Sequence, residues 1–351
     1  MLSVCMIVKN EAENLKLTLP QLVKHAAEVI VVDTGSTDNT VEVAKSLGAR
    51  VGHFSWVNDF AAARNHSLSL ATQPWIAWLD ADEYLKEEDL VKLLEILKKS
   101  SDEVMAYQLI LTESPFGETK RGNSYARVKV FRNSWGNHFI RPINEQVVDK
   151  EGKTIGGKDI PVVIYHWGRY LNENSMQKKR ERYLKMYRDF LSKNPSDPYV
   201  NYLLGNLLRD EGNKEEAYAA YTNALAGNRS DVNLQIDLLT RKAELALKLG
   251  KHQEAFQATN QAIKLDPENV GARNILATLL IGVGKPDLAV QILEEVLNSQ
   301  KSETTDPVRQ QLVPCTVLAK AYRDMGDIQK SEHYEGQVKE LEAKIDAYSA
   351  K

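Results

Sequence analysis

Two rhythms of apolar positions alternate along the first 170 residues. Short unbroken runs, "LSVCMIV" (2–8), "EVIVVD" (28–33), "RVGHF" (50–54) and "PWIAWLD" (74–80), predict strands. Between them lie amphipathic stretches that predict helices: "EAENLKLTLPQLVKHA" (11–26), "TVEVAKSLGA" (40–49), "DFAAARNHSLSLA" (59–71) and "LKEEDLVKLLEILKKS" (85–100). Pro20 inside the first of these is expected to bend or break it, because proline lacks the N–H that a helix interior needs. The aliphatic run of 28–33 implies burial on both faces, as in a parallel sheet. "TGSTDNT" supplies a turn and capping residues before the second helix. The helix at 85–100 has its acids early and its lysines late, in keeping with the helix macrodipole. A β-α-β-α order of this kind predicts an open α/β sheet with right-handed crossovers.

From Val104 the rhythm changes. "EVMAYQLILT", "YARVKVFRN", "QVVD" and "PVVIYHW" alternate like strands of a mixed or antiparallel region, and "ESPFGETKRGNS" (113–124) reads as a connecting loop. "ENSMQKKRERYLKMYRDFLSKNP" (173–195) is a basic amphipathic helix, read as one that docks two halves of the chain.

Beyond it the chain is helical and repetitive. Gly212, Gly250, Gly284 and Gly326 each sit in a short turn, and five residues after them come Ala217, Ala255, Ala289 and Ser331. Leu204/Gly205, Ala243/Ala246, Leu276/Ala277 and Leu318/Ala319 precede the glycines at helical spacing. This pattern resembles the tetratricopeptide repeat, a helix-turn-helix that stacks into a solenoid. The expected organisation is an α/β domain over 1–170, a linking helix over 171–197 and about four repeats over 198–345. Arrays of this type commonly bind a peptide or protein in a groove; a stabilising or dimerising role is the alternative, since fold alone does not fix function.

Composition narrows the partners. A net charge of -3 gives no general electrostatic case for nucleic acid or an anionic membrane. Two distant cysteines, Cys5 and Cys315, are no disulfide framework and fit a reducing cytoplasm. The apolar start, residues 1–8, lacks a basic segment and a cleavage site, so it reads as a buried strand and not a signal peptide. No apolar run approaches the roughly 20 residues of a membrane helix.

In an open α/β sheet, ligands bind beyond the carboxyl ends of the strands. Here the first strand ends in Val8, Lys9, Asn10 and Glu11, the second in Asp33, and the fourth in Asp80, Ala81 and Asp82. Helix capping accounts for Asp38 or Asn39 but poorly for three strand ends and an Asp-x-Asp. Two close carboxylates after a buried strand suit a hard divalent cation, Mn2+ or Mg2+, that keeps positions for substrate phosphates. An EF-hand counted from Asp80 would need glycine where Leu85 stands and glutamate where Val91 stands.

"SVCMIVKNEAENL", "VVDTGSTDNT", "WVNDFAAARNHSL" and "WIAWLDADEYL", in that order, resemble family 2 glycosyltransferases of the GT-A fold. With repeats following, the chain is similar to the subgroup of peptide S-glycosyltransferases and lipopolysaccharide core glucosyltransferases. The resemblance implies that Val8, Lys9, Asn10 and Glu11 line a nucleotide pocket and that Asp33 accepts a hydrogen bond from uracil. It implies that Asp59, Arg64 and Asn65 lie near the base and diphosphate, although Arg64 also reads as a plain helix-surface arginine. Asp80 would contact ribose or metal, with Ala81 beside it, Asp82 would be the main metal carboxylate, and Glu83 would lie outside the metal's direct contacts. "RPINEQVVD" matches the block holding the catalytic acid, with Asn144 where the family places histidine. Glu145 is the candidate general base, able as an ionised carboxylate to take the acceptor's proton, and Asp149 stands second. His166, at the end of "VVIYHW", is a third metal ligand or a diphosphate contact in that frame, or a structural histidine.

The expected activity is an inverting, metal-dependent transfer of a sugar from a UDP-sugar donor, with Mn2+ or Mg2+ as cofactor. The acceptor is expected to be a peptide or protein recruited by the repeats, with the 113–124 loop its candidate contact. A polysaccharide or lipid-linked sugar acceptor, a scaffold with a vestigial nucleotide-sugar domain, and a homodimer remain as alternatives. A nucleotidyltransferase would want a glycine- and lysine-rich phosphate loop after the first strand, and "KNEAENL" is not one.

Overall fold

The computed structural model describes residues 1–115, 117–119, 122–168, 173–227, 231–299 and 308–349. Phe116, Lys120 and Arg121 of the expected acceptor loop lie outside the described residues, as do 169–172 at the expected end of the first domain. The chain divides into two compact units, Met1–Met186 and Tyr187–Lys351.

In order, the first unit contains β1 (Leu2–Val8), α1 (Ala12–His25), β2 (Glu28–Asp33), α2 (Thr40–Ser46), β3 (Arg50–His53), α3 (Phe60–Ser69), β4 (Trp75–Trp78) and β5 (Glu83–Leu85). Then come α4 (Glu87–Lys98), β6 (Ala106–Glu113), β7 (Ser124–Arg132), β8 (His138–Ile140), β9 (Gln146–Val148), β10 (Lys158–His166) and the start of α5 (Glu173–Lys193). One eight-stranded sheet runs β3-β2-β1-β4-β7-β6-β10-β5. Its first four strands are parallel, and β7 enters antiparallel to both β4 and β6. The change of rhythm at Val104 thus marks the change from a parallel to a mixed sheet.

The period of two along β1 divides the core. Leu2, Val4, Met6 and Val8 join Leu15, Leu19 and Leu22 of α1 and Leu90, Leu93 and Leu97 of α4 on one face. Cys5 joins Ala61 and Leu68 of α3 and Phe139 of β8 on the other. The α3 helix is then pinned over the sheet's carboxyl edge. Asn65 Nδ2 donates to the Phe139 carbonyl at 2.8 Å, Phe139 N–H donates to Asn65 Oδ1 at 2.7 Å, and Phe60 N–H donates to the Pro142 carbonyl at 2.8 Å.

Two details differ from the sequence expectation. Helix α1 runs continuously through Pro20, which is solvent-exposed, so the missing N–H bond falls on the solvent-facing side of the helix. Strands β5 and β8, three residues each, carry too short a pattern to stand out.

Among its described residues the second unit contains four helix pairs: α6 (Pro198–Asp210) with α7 (Lys214–Ala226), α8 (Val232–Lys248) with α9 (His252–Leu265), α10 (Val270–Gly282) with α11 (Pro286–Asn298), and α12 (Val313–Asp324) with α13 (Ile328–Ser349). Each first helix ends at a turn glycine with φ between +72° and +84°, a region glycine enters without a Cβ penalty. The same closing bonds recur, for example Asn213 N–H to Leu208 O at 2.9 Å and Asp327 N–H to Tyr322 O at 2.9 Å. The small residues after the turns, Ala217, Ala255, Ala289 and Ser331, are buried where the paired helices approach. No described helix is long and apolar enough to cross a membrane.

Candidate active site

Three strand ends meet at one edge, as their sequence positions require. Asn10 turns the chain out of β1 with φ +58°, a conformation asparagine tolerates. Its backbone N–H donates to Ser36 Oγ at 2.9 Å and its Oδ1 accepts from Thr37 N–H at 2.7 Å, which ties the β1 exit to the β2 exit. Asp33 accepts from the Gly35 and Ser36 N–H groups at 3.1 Å, fixing the turn. Glu11 N–H donates to Thr40 Oγ1 at 2.8 Å. Burial raises the Glu11 carboxyl to about 7; the Asn14 hydrogen bond opposes this, and Asp82, Asp80 and Asp38 reinforce it. Lys9 is exposed at this edge, and Val8 is buried beneath it.

Beneath the edge lies a clamp. Arg64 is buried on α3, its Nη2 2.6 Å from Asp80 Oδ1 and its Nε 2.5 Å from Glu145 Oε1. The guanidinium lies 4.6 Å from the Trp78 ring centroid and 5.6 Å from that of Phe139. One arginine therefore joins the end of β4 to the segment before β9, although Asp80 and Glu145 are 65 positions apart in sequence. Burial alone would lift the Asp80 carboxyl, but Arg64, helped by Lys129 and Arg127, holds it well below the usual carboxylate range. Asn144, next to Glu145 in sequence, takes a left-handed φ of +49°.

Asp82 points another way. Its Oδ2 lies 3.4 Å from His166 Nε2, and His166 Nδ1 lies 3.1 Å from Glu113 Oε2. Burial would lower the His166 imidazole, but Asp82, then Glu83 and Glu113, outweigh it and raise it to about 9. Gly168 borders the pair: a Cβ there would come 2.5 Å from Asp82 Oδ2 and 2.6 Å from His166 Nε2. The Asp82 side chain keeps 29% of its surface.

Among the described residues, no group of three or more His, Cys, Asp or Glu side chains is disposed to hold a metal ion. The expected set of Asp80, Asp82 and His166 is not assembled, because the Asp80 carboxylate is engaged by Arg64. Asp82 and His166 nevertheless fit a divalent cation. Mg2+ and related ions need only one or two protein donors and complete their coordination with water and phosphate oxygens. Gly168 packs directly against both donor atoms, where any larger side chain would collide with them.

Several candidate residues have local partners. Asp59 caps α3 through Ala62 N–H at 2.9 Å, and both ends of the Asn65 amide bond the Phe139 backbone. Asp149 Oδ1 accepts from Glu151 and Lys153 N–H at 2.9 and 3.0 Å, closing a turn. Ala81 is buried between the two aspartates. Glu83 is buried against Lys129 at 2.6 Å, and its Oε2 accepts the Asp80 N–H at 3.0 Å.

The sequence reading passed over Lys129, Glu113, Gly168 and Trp78. Lys129 offered no signal of its own, since in "RVKVF" it takes a polar place in the alternation between Val128 and Val130. For the other three, only their spatial neighbours reveal a role.

Each part of the chain is similar to known proteins. Residues 3–157 match the model described as glycosyl transferase family 2, and residues 184–232 and 246–306 match tetratricopeptide repeat models. A TPR repeat-containing protein of Synechococcus elongatus is 32% identical over 277 residues, which is 74% of this chain and 67% of that protein. The SPbeta prophage-derived glycosyltransferase SunS of Bacillus subtilis is 26% identical over 214 residues, 60% of this chain; the chain thus spans half of SunS. The crystal structure of MamA aligns with 51% of this chain at 16% identity and a TM-score of 0.39. With a family 2 core ending its strands in acids and a repeat array behind it, the chain belongs to the glycosyltransferase family 2 proteins that carry C-terminal tetratricopeptide repeats.

Proposed function

We propose that the protein transfers a sugar from a UDP-sugar to a peptide or protein acceptor, with inversion at C1 and with Mn2+ or Mg2+ required. The observation that carries this is the pairing of Asp82 with His166, 3.4 Å apart, at the edge where β1, β2 and β4 end. The turn held by Asn10 and Asp33 offers the nucleoside a cradle, with Asp33 the assigned partner of the uracil imide. Asp82 and His166 would hold the cation, and when bound it supplies neutralising charge to the departing diphosphate.

Glu145 is assigned the acceptor's proton. Arg64 holds Glu145 Oε1, which leaves Oε2 to receive the proton as the acceptor's oxygen or sulfur attacks C1. The C1–acceptor bond forms as the bond from C1 to the diphosphate oxygen breaks, the electron pair leaves with UDP, and the proton stays on Glu145. Arg64 orients two carboxylates and does not touch the sugar. The repeats are assigned acceptor recruitment, in line with the helix-pair architecture. The name of SunS as a glycosyltransferase agrees with this reading.

A panel of UDP-sugars with Mn2+ or Mg2+, followed by intact-mass analysis of candidate peptides, tests the proposal. The expected result is transfer of one sugar residue by the unaltered protein and none by Asp82→Asn or Glu145→Gln. If no UDP-sugar is hydrolysed or transferred and UDP does not bind, the proposal fails.

A further inference from the structure

The site described above leaves one strongly placed pair unused. Lys129 is fully buried (0% side-chain exposure) and its Nζ lies 2.6 and 2.7 Å from the two oxygens of Glu83, itself 1% exposed. A buried ion pair is costly to desolvate and often no more stable than an apolar replacement, so its presence asks for a reason beyond stability.

Geometry supplies one. Between β6 and β7 the register shifts: Tyr107 pairs with Val130 and Gln108 with Val128, so Lys129 is the extra residue of a β-bulge. Trp78 Nε1 donates to the Val128 carbonyl at 3.0 Å and holds the bulge, and Lys129 Nζ sits 3.6 Å from the Trp78 ring centroid. The bulge re-aims a side chain that a regular strand would carry elsewhere, and it aims it at Glu83. Glu83 Oε2 in turn accepts the Asp80 N–H at 3.0 Å, and Glu83 N–H donates to the Asp80 carbonyl at 3.1 Å. The far side of the turn is tied by Trp167 N–H to the Asp82 carbonyl at 3.1 Å. Both aspartates hang from a turn whose inner anchor is the Glu83–Lys129 pair.

We propose that Lys129 is a positioning residue: acting through Glu83, it fixes the Asp80–Glu83 turn so that Asp82 is presented to the cation and diphosphate while Asp80 stays on Arg64. This rests on the nucleotide-sugar reading given above. Lys129 touches neither sugar nor nucleotide in this role.

Single substitutions would strand a buried charge and could unfold the chain, so the test uses two double variants of the full-length protein. Lys129→Met with Glu83→Leu removes the pair and keeps apolar volume. Lys129→Met with Glu83→Gln removes the charges and keeps an oxygen acceptor for the Asp80 N–H. UDP binding is measured by calorimetry with and without Mn2+, and hydrogen exchange is followed on peptides spanning residues 79–85. The first variant should lose tenfold or more in Mn2+-dependent UDP affinity, with faster exchange confined to 79–85, and the second should recover most of both. Wild-type affinity and exchange in the first variant would overturn the inference. Loss of protection across the whole sheet in both variants would overturn it as well, marking the pair as general core support. If the unaltered protein shows no Mn2+-dependent UDP binding, the underlying reading itself fails and this inference with it.

Discussion

Replacing Arg64 by alanine should be the most damaging single change in the first unit. The guanidinium is buried and closes contacts of 2.6 Å to Asp80 and 2.5 Å to Glu145. Removing one partner of a buried pair leaves uncompensated charge and costs about 3–5 kcal/mol. Asp80 keeps 31% of its side-chain surface and can partly rehydrate, which puts the expected loss at about 3–4 kcal/mol. For a unit the size of Met1–Met186, each kcal/mol lowers the melting temperature by roughly 2–4 °C, giving a drop of roughly 6–16 °C. The pH dependence has a definite sign. Arg64 depresses the folded pKa of Asp80, so its contribution is present above the unfolded value of about 3.9 and is lost as pH falls toward the folded one. The gap between wild type and Arg64→Ala should be full at neutral pH and narrow below about pH 4. Arg64→Lys should fall between the two, because an ammonium keeps the charge but not the fork that reaches both carboxylates. Scanning calorimetry across pH measures this. A neutral-pH shift of less than about 2 °C would refute the view that Arg64 is the electrostatic keystone of the site.

Other consequences follow from single contacts. Gly168→Ala places a methyl 2.5 Å from Asp82 Oδ2, so it should weaken Mn2+-dependent UDP binding, read by calorimetry, while stability changes by only about 1–3 kcal/mol. Gly205→Ala drives a methyl into the buried Tyr221 ring and should destabilise the Tyr187–Lys351 unit by about 1–3 kcal/mol in urea unfolding. Burial and the neighbouring acids raise Glu11 to about 7, above its unfolded value, so its contribution is complete in acid and is lost as pH rises through about 7. Mn2+ should therefore raise the melting temperature more at about pH 8 than at about pH 5.5, and Glu11→Gln should reduce the difference; equal shifts at both pH values in the wild type would contradict this.

Most of the first unit's order was legible because each strand announces itself by composition and each helix by period. The strand-end acids were legible for the same reason: an apolar run that stops at Asp33 or Asp80 leaves its acid at the sheet edge. What the pattern could not convey was who pairs with whom. Arg64 looked like a residue for the diphosphate, yet its geometry is that of an internal clamp, fixed by Glu145 from a segment 81 positions away. Lys129 reads in the sequence as an ordinary polar place in the alternation, and both its burial and its partner depend on a bulge that no local propensity specifies. The repeats were more transparent, since a glycine at each turn and a small residue five positions later are local requirements of helix pairing.

The balance of charge at the edge bears directly on metal dependence. Six carboxyl groups converge there: Glu11, Asp80, Asp82, Glu83, Glu113 and Glu145. Among the described residues, Arg64, Lys129 and Arg127 answer them with positive charge. Arg64 and Lys129 are committed to Asp80, Glu145 and Glu83, so the surplus negative charge gathers around Asp82 and Glu11. A diphosphate brought against Asp82 would meet like charge at a cost of about 4 kcal/mol per pair at 4 Å in partly solvated surroundings. Lys9, exposed at the rim, has water around it and recovers only part of that. A cation between the two would offset that repulsion, which is why the proposed reading includes Mn2+ or Mg2+. The commitment of Asp80 to Arg64 then has a use: it takes one of the two aspartates out of the repulsion and leaves Asp82 as the aspartate available to the proposed ligand.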